Sequence, residues 1–275
     1  MSAPAPCAVP ADDARDRASV VEPARDSSPA PVVGVAVVVP ARDEQELIER
    51  CLASVAEARR HLVEERPEAR VVVVVVVVAD GCTDDTVRLA RAVPGVTVLE
   101  TSVHNVGLAR STGVEWALVE LRRGECRGGP DDGPATTADR VWIANTDADS
   151  QVPPAWLTSQ LDEADAGADV VVGTVRPDFA DLSREQVAAW TARHTPGRPN
   201  GHVHGANLGV RASRYAEAGG FGDLDLHEDV TLVGRLRAAG ATLLASEAGE
   251  VLTSGRRVGR TRGGYAGYLA NDLLA

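Results

Sequence analysis

The chain has only four cysteines, Cys7, Cys51, Cys82 and Cys126, and no pair stands in C-x-x-C spacing. That pattern signals neither a zinc site nor a redox pair, and reduced thiols are expected. Long apolar runs are missing too. The longest, Val71 to Ala79, falls far short of the roughly 20 residues that span a bilayer. The N-terminus carries Asp12, Asp13 and Arg15 but no apolar h-region, so no secretory signal is read. A cytoplasmic protein without a transmembrane segment is expected. Basic charge is in deficit, with 28 Lys and Arg against 40 Asp and Glu, a net charge of −12. Such a surface repels phosphate backbones and argues against a nucleic-acid partner. A small phosphorylated ligand stays admissible, because a divalent cation or a few arginines can invert the field locally.

What is present is ordinary for a folded protein: 44% hydrophobic and 25% charged residues exclude a wholly disordered chain. The 275 residues allow one large domain or two small ones at about 150 residues each. Residues 1–31 are rich in Ala, Pro, Asp and Arg without periodicity and read as a disordered tail. Order is expected from Val32. The β-branched run Val32 to Val39 stops at Pro40 and suits a strand covered on both faces. Leu47, Ile48, Cys51, Leu52 and Val55 then recur at helical spacing. The unit repeats, because Val71 to Val78 are eight consecutive valines, too stiff at χ1 to favour a helix. Thr83 or Asp84 can cap the helix that follows.

A short strand over Val96 to Leu99 and a helix over Asn105 to Leu121 come next, then a Gly-, Pro- and Asp-rich loop from Arg122 to Arg140. Val141 to Ala144 is a strand. Beyond it are expected a helix from about Pro154, a strand over Asp169 to Val172, and a helix over Arg184 to Arg193. A Gly/Pro/His loop over His194 to Gly205, helices over Ala212 to Ala218 and Asp229 to Ala239, and a strand over Thr242 to Ala245 follow. The segment 254–275 is basic and Gly-rich. This alternation predicts an α/β fold with a mostly parallel sheet. Right-handed crossovers align the strand ends on one edge, where ligands of such sheets bind.

Polar clusters sit at four of those ends. They are Pro40-Ala41-Arg42-Asp43-Glu44, Asp80 to Thr86, Asn105 to Arg110, and Asp147-Ala148-Asp149. The last is chemically the sharpest. On an extended segment alternate side chains share a side, so Asp147 and Asp149 can face one ion. Two hard oxygen ligands leave positions for water and phosphate, which suits Mg2+ or Mn2+. Asp80 can accept hydrogen bonds from a base or ribose, or serve as a turn residue. Arg110 can meet a phosphate.

In order and context this set resembles glycosyltransferase family 2. The family's P-x-x-[ND]-E is matched by Pro40 to Glu44, and its D-G-S-x-D-x-T by Asp80 to Thr86. Its N-x-G-x-x-x-A-R segment is matched by Asn105 to Arg110, one residue shorter, and its D-x-D by Asp147-Ala148-Asp149. Gly205-Ala206-Asn207 followed by Arg211 is similar to its G-x-N…R segment, and His227-Glu228-Asp229 to its E-D motif. The resemblance implies a single GT-A domain, Rossmann-like, over 32–253, with a donor half near 32–150 and an acceptor half near 151–253. It implies that Pro40, Ala41, Asp43 and Glu44 lie along a UDP- or GDP-sugar, with Asp80 on its base and Arg110 near the diphosphate. It further implies that Asp147 holds ribose or metal-bound water and Asp149 the Mn2+ or Mg2+. Asp229 would be the catalytic base with Glu228 beside it, in an inverting transfer to a small acceptor.

Cys82 replaces the usual Ser, and Ser111 stands where Asn is common. The basic run from Arg256 to Arg262 is expected to face the pyrophosphate. His202 and His204 suit an acceptor-loop or hydrogen-bonding role, with His204 as a third metal ligand left open. Retaining transfer, nucleotidyl transfer, noncatalytic nucleotide-sugar binding and homodimerisation also stay open from residues alone.

Overall fold

A computed structural model describes residues 30–125, 137–195, 201–224, 226–259 and 264–274. The expected tail, most of the loop after Arg122, and Cys7, Cys126, Arg260 and Arg262 lie outside the described residues.

Eight strands form one mixed sheet in the order β3-β2-β1-β4-β7-β6-β8-β5. They are β1 (Gly34–Ala41), β2 (Val72–Asp80), β3 (Val96–Thr101), β4 (Val141–Asn145), β5 (Ser150–Gln151), β6 (Val170–Pro177), β7 (Leu208–Arg211) and β8 (Leu243–Thr253). Helices α1 (Ile48–Glu65), α2 (Thr86–Arg91), α3 (Val106–Glu125), α4 (Trp156–Asp165), α5 (Arg184–Arg193), α6 (Ala212–Glu217) and α7 (Glu228–Ala238) pack around it. Two short helical turns, Tyr265–Gly267 and Tyr268–Asp272, follow β8.

The valine runs are explained by the sheet's two covered faces. Successive residues of a strand point to opposite sides. Val35, Val37, Val39, Val73, Val75 and Val77 meet Ile48, Leu52, Val55 and Leu62 of α1 and Trp156, Leu157 and Leu161 of α4. Ala36, Val38, Val76 and Val78 meet Ala109, Val114, Ala117 and Leu121 of α3 and Leu232 and Leu236 of α7. A strand apolar at every position is therefore buried on both sides rather than exposed on one.

The parallel set β3-β2-β1-β4 brings its C-terminal ends to one rim. The sheet is mostly parallel as expected, and its antiparallel pairs fall in the second half. β7 was not anticipated and runs antiparallel to both β4 and β6, with Asn145 opposite Leu208. Its N-terminal end thus arrives at the rim where the other strands leave, and it delivers the turn Gly205–Asn207 there. β8, expected to end at Ala245, continues to Thr253 after a register shift between Gly173 and Val175. β5 pairs antiparallel with its end, Ser150 opposite Thr253. That pairing carries residues 254–256 to the same rim.

Candidate active site

A cavity of about 650 Å³ opens at this rim. Of the residues singled out from sequence, Pro40, Ala41, Glu44, Asp80, Arg110, Asp147, Asp149, Glu228 and Asp229 all line it, and Asp43 does not. Asp43 turns to the neighbouring loop, where its Oδ1 accepts from the Thr83 amide at 2.7 Å and hydroxyl at 3.1 Å. Three residues beside the cavity, Asp43, His104 and His227, adopt positive φ without being glycine. Local strain of this kind, of order 1–3 kcal/mol each, persists where surrounding contacts hold it. Each immediately precedes a buried polar residue of the site: Glu44, Asn105 and Glu228.

Asp80 ends β2 almost fully buried. Its carboxylate accepts from the His104 and Asn105 amides at 2.9 and 3.0 Å and from Thr101 Oγ1 at 3.1 Å. It thereby shapes the loop that leads into α3. The N-cap of α2 is Asp85, whose side chain makes no capping bond, rather than the expected Thr83 or Asp84; Asp84, one residue earlier, accepts from the amide of Thr86, the first residue of α2, at 2.9 Å.

Asp147, Ala148 and Asp149 lie in a turn, closed by the Ser150 amide donating to the Asp147 carbonyl at 3.1 Å, rather than on the extended segment the sequence suggested. Burial of Ala148 in the core below the sheet leaves both aspartates on the cavity wall. Each is drawn to its own guanidinium. Arg110 Nη2 reaches Asp147 Oδ1 at 2.5 Å, and Arg256 Nη2 reaches Asp149 Oδ2 at 2.9 Å. Arg256 also grips Glu44 through both terminal nitrogens, at 2.6 and 2.7 Å. Of the basic run expected at the pyrophosphate, Arg256 is therefore engaged by the acids of the site and Arg257 is exposed.

Arg110 is 2% exposed and ties the two halves together. Besides Asp147 it pairs with Glu228 Oε1 at 3.5 Å and stands 5.8 Å from the Phe221 ring centroid. Gly205 lets the turn before β7 close over it, since a Cβ there would lie 2.5 Å from Arg110 Nη2. The Gly205 amide donates to Asp229 Oδ2 at 2.7 Å. One chain of contacts thus runs from Asp147 through Arg110 to Glu228, the neighbour of Asp229.

Among the described residues, six carboxylates and three arginines line the cavity. Burial, with Asp147 and Glu44 nearby, pushes the Asp149 carboxyl up to about 6 although Arg256 opposes the shift. Burial likewise raises Glu228. Its own burial, followed by the charges of Asp149, Asp147 and Glu44, drives the Cys51 thiol, which donates to the Asp147 carbonyl at 3.3 Å, far up. Hard oxygen donors with excess negative charge in a partly dry wall fit a divalent cation such as Mg2+ or Mn2+. Among the described residues, three donor atoms within 4.8 Å of one another gather at Asp43, Cys82 and Asp84, away from the cavity. They do not gather at Asp147, Asp149 and His204, so geometry does not support His204 as a third ligand. Burial holds His204 down at about 4, which keeps its ring neutral.

A family model described as glycosyl transferase family 2 matches residues 36–201. The chain belongs to this family. Solved structures share its fold at low identity. A mannosyltransferase from Pyrobaculum calidifontis, PcManGT, solved with GDP-Man and Mn2+, is 23% identical, with a TM-score of 0.54 over 86% of this chain and 59% of that one. Residues 1–349 of S. aureus TarS are 13% identical, with a TM-score of 0.52 over 82% of this chain and 61% of that one. The chain thus spans less than two thirds of the length of these structures. No curated protein matches it. The fold is that of a GT-A glycosyltransferase domain. Among the described residues, no helix is long and apolar enough to cross a membrane.

Sequence reading missed His104, Tyr265 and Tyr268, which also line the cavity. Tyr265 and Tyr268 carried a signal, since the whole chain has only three tyrosines and these two stand three apart in a Gly-rich segment.

Proposed function

We propose that this glycosyltransferase moves a sugar from a UDP- or GDP-sugar to an acceptor hydroxyl with inversion, in a reaction that depends on Mn2+ or Mg2+. The observation that carries the reading is the placing of Asp149, from the turn after β4, and Asp229, from the start of α7, on one cavity, linked by the Asp147–Arg110–Glu228 pairs. Asp149 and Asp147 would hold the cation. When bound, that cation neutralises the charge that develops on the departing nucleoside diphosphate. Pro40, Ala41 and Glu44 lie along the nucleotide, and Asp80 fixes the loop at its base end. Asp229 takes the proton of the attacking hydroxyl, its Oδ2 held in place by the Gly205 amide. A single base suffices for direct displacement at the anomeric carbon, and no covalent nucleophile is required.

Calorimetry with UDP and GDP in the presence of Mn2+ tests the donor half. Wild-type protein binds one of them, and Asp149→Ala loses that binding by at least about 100-fold, equivalent to about 2.7 kcal/mol. Undiminished affinity in Asp149→Ala defeats the metal assignment. Asp229→Asn binds the nucleotide as wild type does but releases it from the sugar donor about 10² to 10⁴-fold more slowly.

A further inference from the structure

The rim of the sheet sets distances along the cavity. Strands β4, β1, β2 and β3 lie side by side in that order and run parallel, so their ends form a row. Asp147 and Asp149 follow β4 at one end of the row, and His104 follows β3 at the other. Neighbouring strands stand about 4.8 Å apart, which separates the two ends by about 14 Å. An extended nucleoside diphosphate spans most of such a distance. With its phosphates at Asp149, its base can run toward the ends of β2 and β3. The opposite direction leads to β7 and the Gly205 turn, whose amide holds Asp229, and that space is needed by the acceptor.

Asp80 stands at the β2 end of the row, but its carboxylate is already engaged. It is 5% exposed, and its oxygens accept from Thr101 Oγ1 and from the His104 and Asn105 amides. Three donors leave little of a carboxylate for a ligand. Asp80 is a brace, and what it holds is His104. That residue keeps φ at +52°, a backbone state that costs a residue other than glycine free energy and persists where its surroundings impose it. Its exposed ring lines the cavity and lies over Gly81. A Cβ at position 81 would stand 2.4 Å from His104 Cε1 and 2.8 Å from Nδ1, so a side chain there would expel the imidazole. Asp80, Gly81 and the strained backbone thus fix one aromatic ring where the base arrives. An imidazole suits such a ligand, since it offers a face for stacking and, when neutral, one donor and one acceptor at its edge.

Resting on the donor reading above, we propose that His104 is the residue that reads the nucleobase of the sugar donor and sets which nucleotide the enzyme accepts. Asp80 and Gly81 are positioning residues that hold the ring of His104 in place.

Calorimetry of the full chain with Mg2+ tests this, using UDP, GDP and inorganic pyrophosphate as probes. Wild-type protein favours one nucleotide over the other by about tenfold or more. His104→Gly removes the ring and suits a backbone at positive φ, so the loop keeps its course. It loses about tenfold in affinity for the favoured nucleotide and brings the two nucleotides to within about threefold of each other. Its affinity for pyrophosphate equals that of wild type, which certifies a folded cation site and which a merely structural role of His104 would not spare. His104→Asn, which tolerates the same backbone but carries no ring, behaves alike. Equal affinity of wild-type protein for both nucleotides, an unaltered ratio in the two variants, or a matching loss of pyrophosphate overturns the proposal. A wild-type protein that binds neither nucleotide overturns the donor reading as well, so the two failures are told apart on the same sample.

Discussion

At the scale of single residues, the site is a contest between carboxylates and guanidinium groups. The chain has no lysine, and arginine, whose planar fork suits two acids at once, supplies the ion pairs described at the cavity wall. Arg256 does this with Glu44 and Asp149, which places a resident positive charge on the carboxylate assigned to the metal. Arg256→Gln should therefore tighten Mn2+ binding to the free protein by about tenfold, or about 1.4 kcal/mol, as read by titration against a fluorescent chelator. Unchanged affinity would show that the ion does not use Asp149. Glu163 illustrates burial without compensation. Its Oε1 accepts from Ser246 while Oε2 is buried without a partner, and burial raises its pKa. A carboxyl whose folded pKa is raised binds its proton more readily when folded, so its contribution to stability is full below the unfolded value near 4.5 and is lost as pH rises through the folded one. Glu163→Gln keeps an acceptor for Ser246 and removes the charge. Its melting temperature should exceed wild type at pH 7 and coincide with it at pH 4.

At the scale of elements, the donor side was legible because its strands are uniform. Eight valines in a row admit few readings, and each parallel strand ends in a polar cluster at a predictable edge. Much of the second half was legible too, since the expected helices over 184–193, 212–218 and 229–239 and the starts of two strands are present to within a residue, but β7 and the end of β8 were not read. β7 is Leu-Gly-Val-Arg, too short and too interrupted to stand out from the loop before it. The second part of β8 contains Glu247, Gly249 and Glu250, which break the apolar pattern beyond Ala245. What holds these strands is a side chain rather than a pattern. Asn207, matched in sequence only to a family motif, donates to the carbonyls of Thr174 and Gly249 at 2.9 and 2.8 Å. It accepts from Trp156 Nε1 and Gln160 Nε2 at 2.9 and 3.3 Å. The four contacts join β6, β8 and α4 to the turn that starts β7. Asn207→Ala leaves several buried groups unpaired, at about 1–3 kcal/mol each, and urea unfolding should show a loss of about 3 kcal/mol or more. A loss below about 1 kcal/mol would mean that the strands hold their register without it.

At the scale of the molecule, two large apolar clusters lie on the two faces of the sheet, and every buried member of both precedes residue 254. A third, small cluster joins Trp190 of α5 to Leu269 and Leu273. The contacts of Gln186 Nε2 with the Leu269 carbonyl at 2.9 Å and of Arg193 with the Asp272 carbonyl at 3.1 Å support it. Composition marked residues 254–275 as basic, and that concealed their apolar anchor, although Tyr265, Tyr268, Leu269 and Leu273 stand at helical spacing. Leu269 and Leu273 are buried in the small cluster rather than in the two large ones, so the docked turns add little to global stability. Removing residues 264–275 should therefore leave a cooperatively unfolding protein with its melting temperature lowered by only a few degrees. Nucleoside diphosphate affinity should stay within a few-fold of wild type, because Arg256, Glu44 and Asp149 remain. Trp190 emission should shift to longer wavelength as its cover is lost. A truncated chain that fails to fold would instead make the third cluster part of the main core.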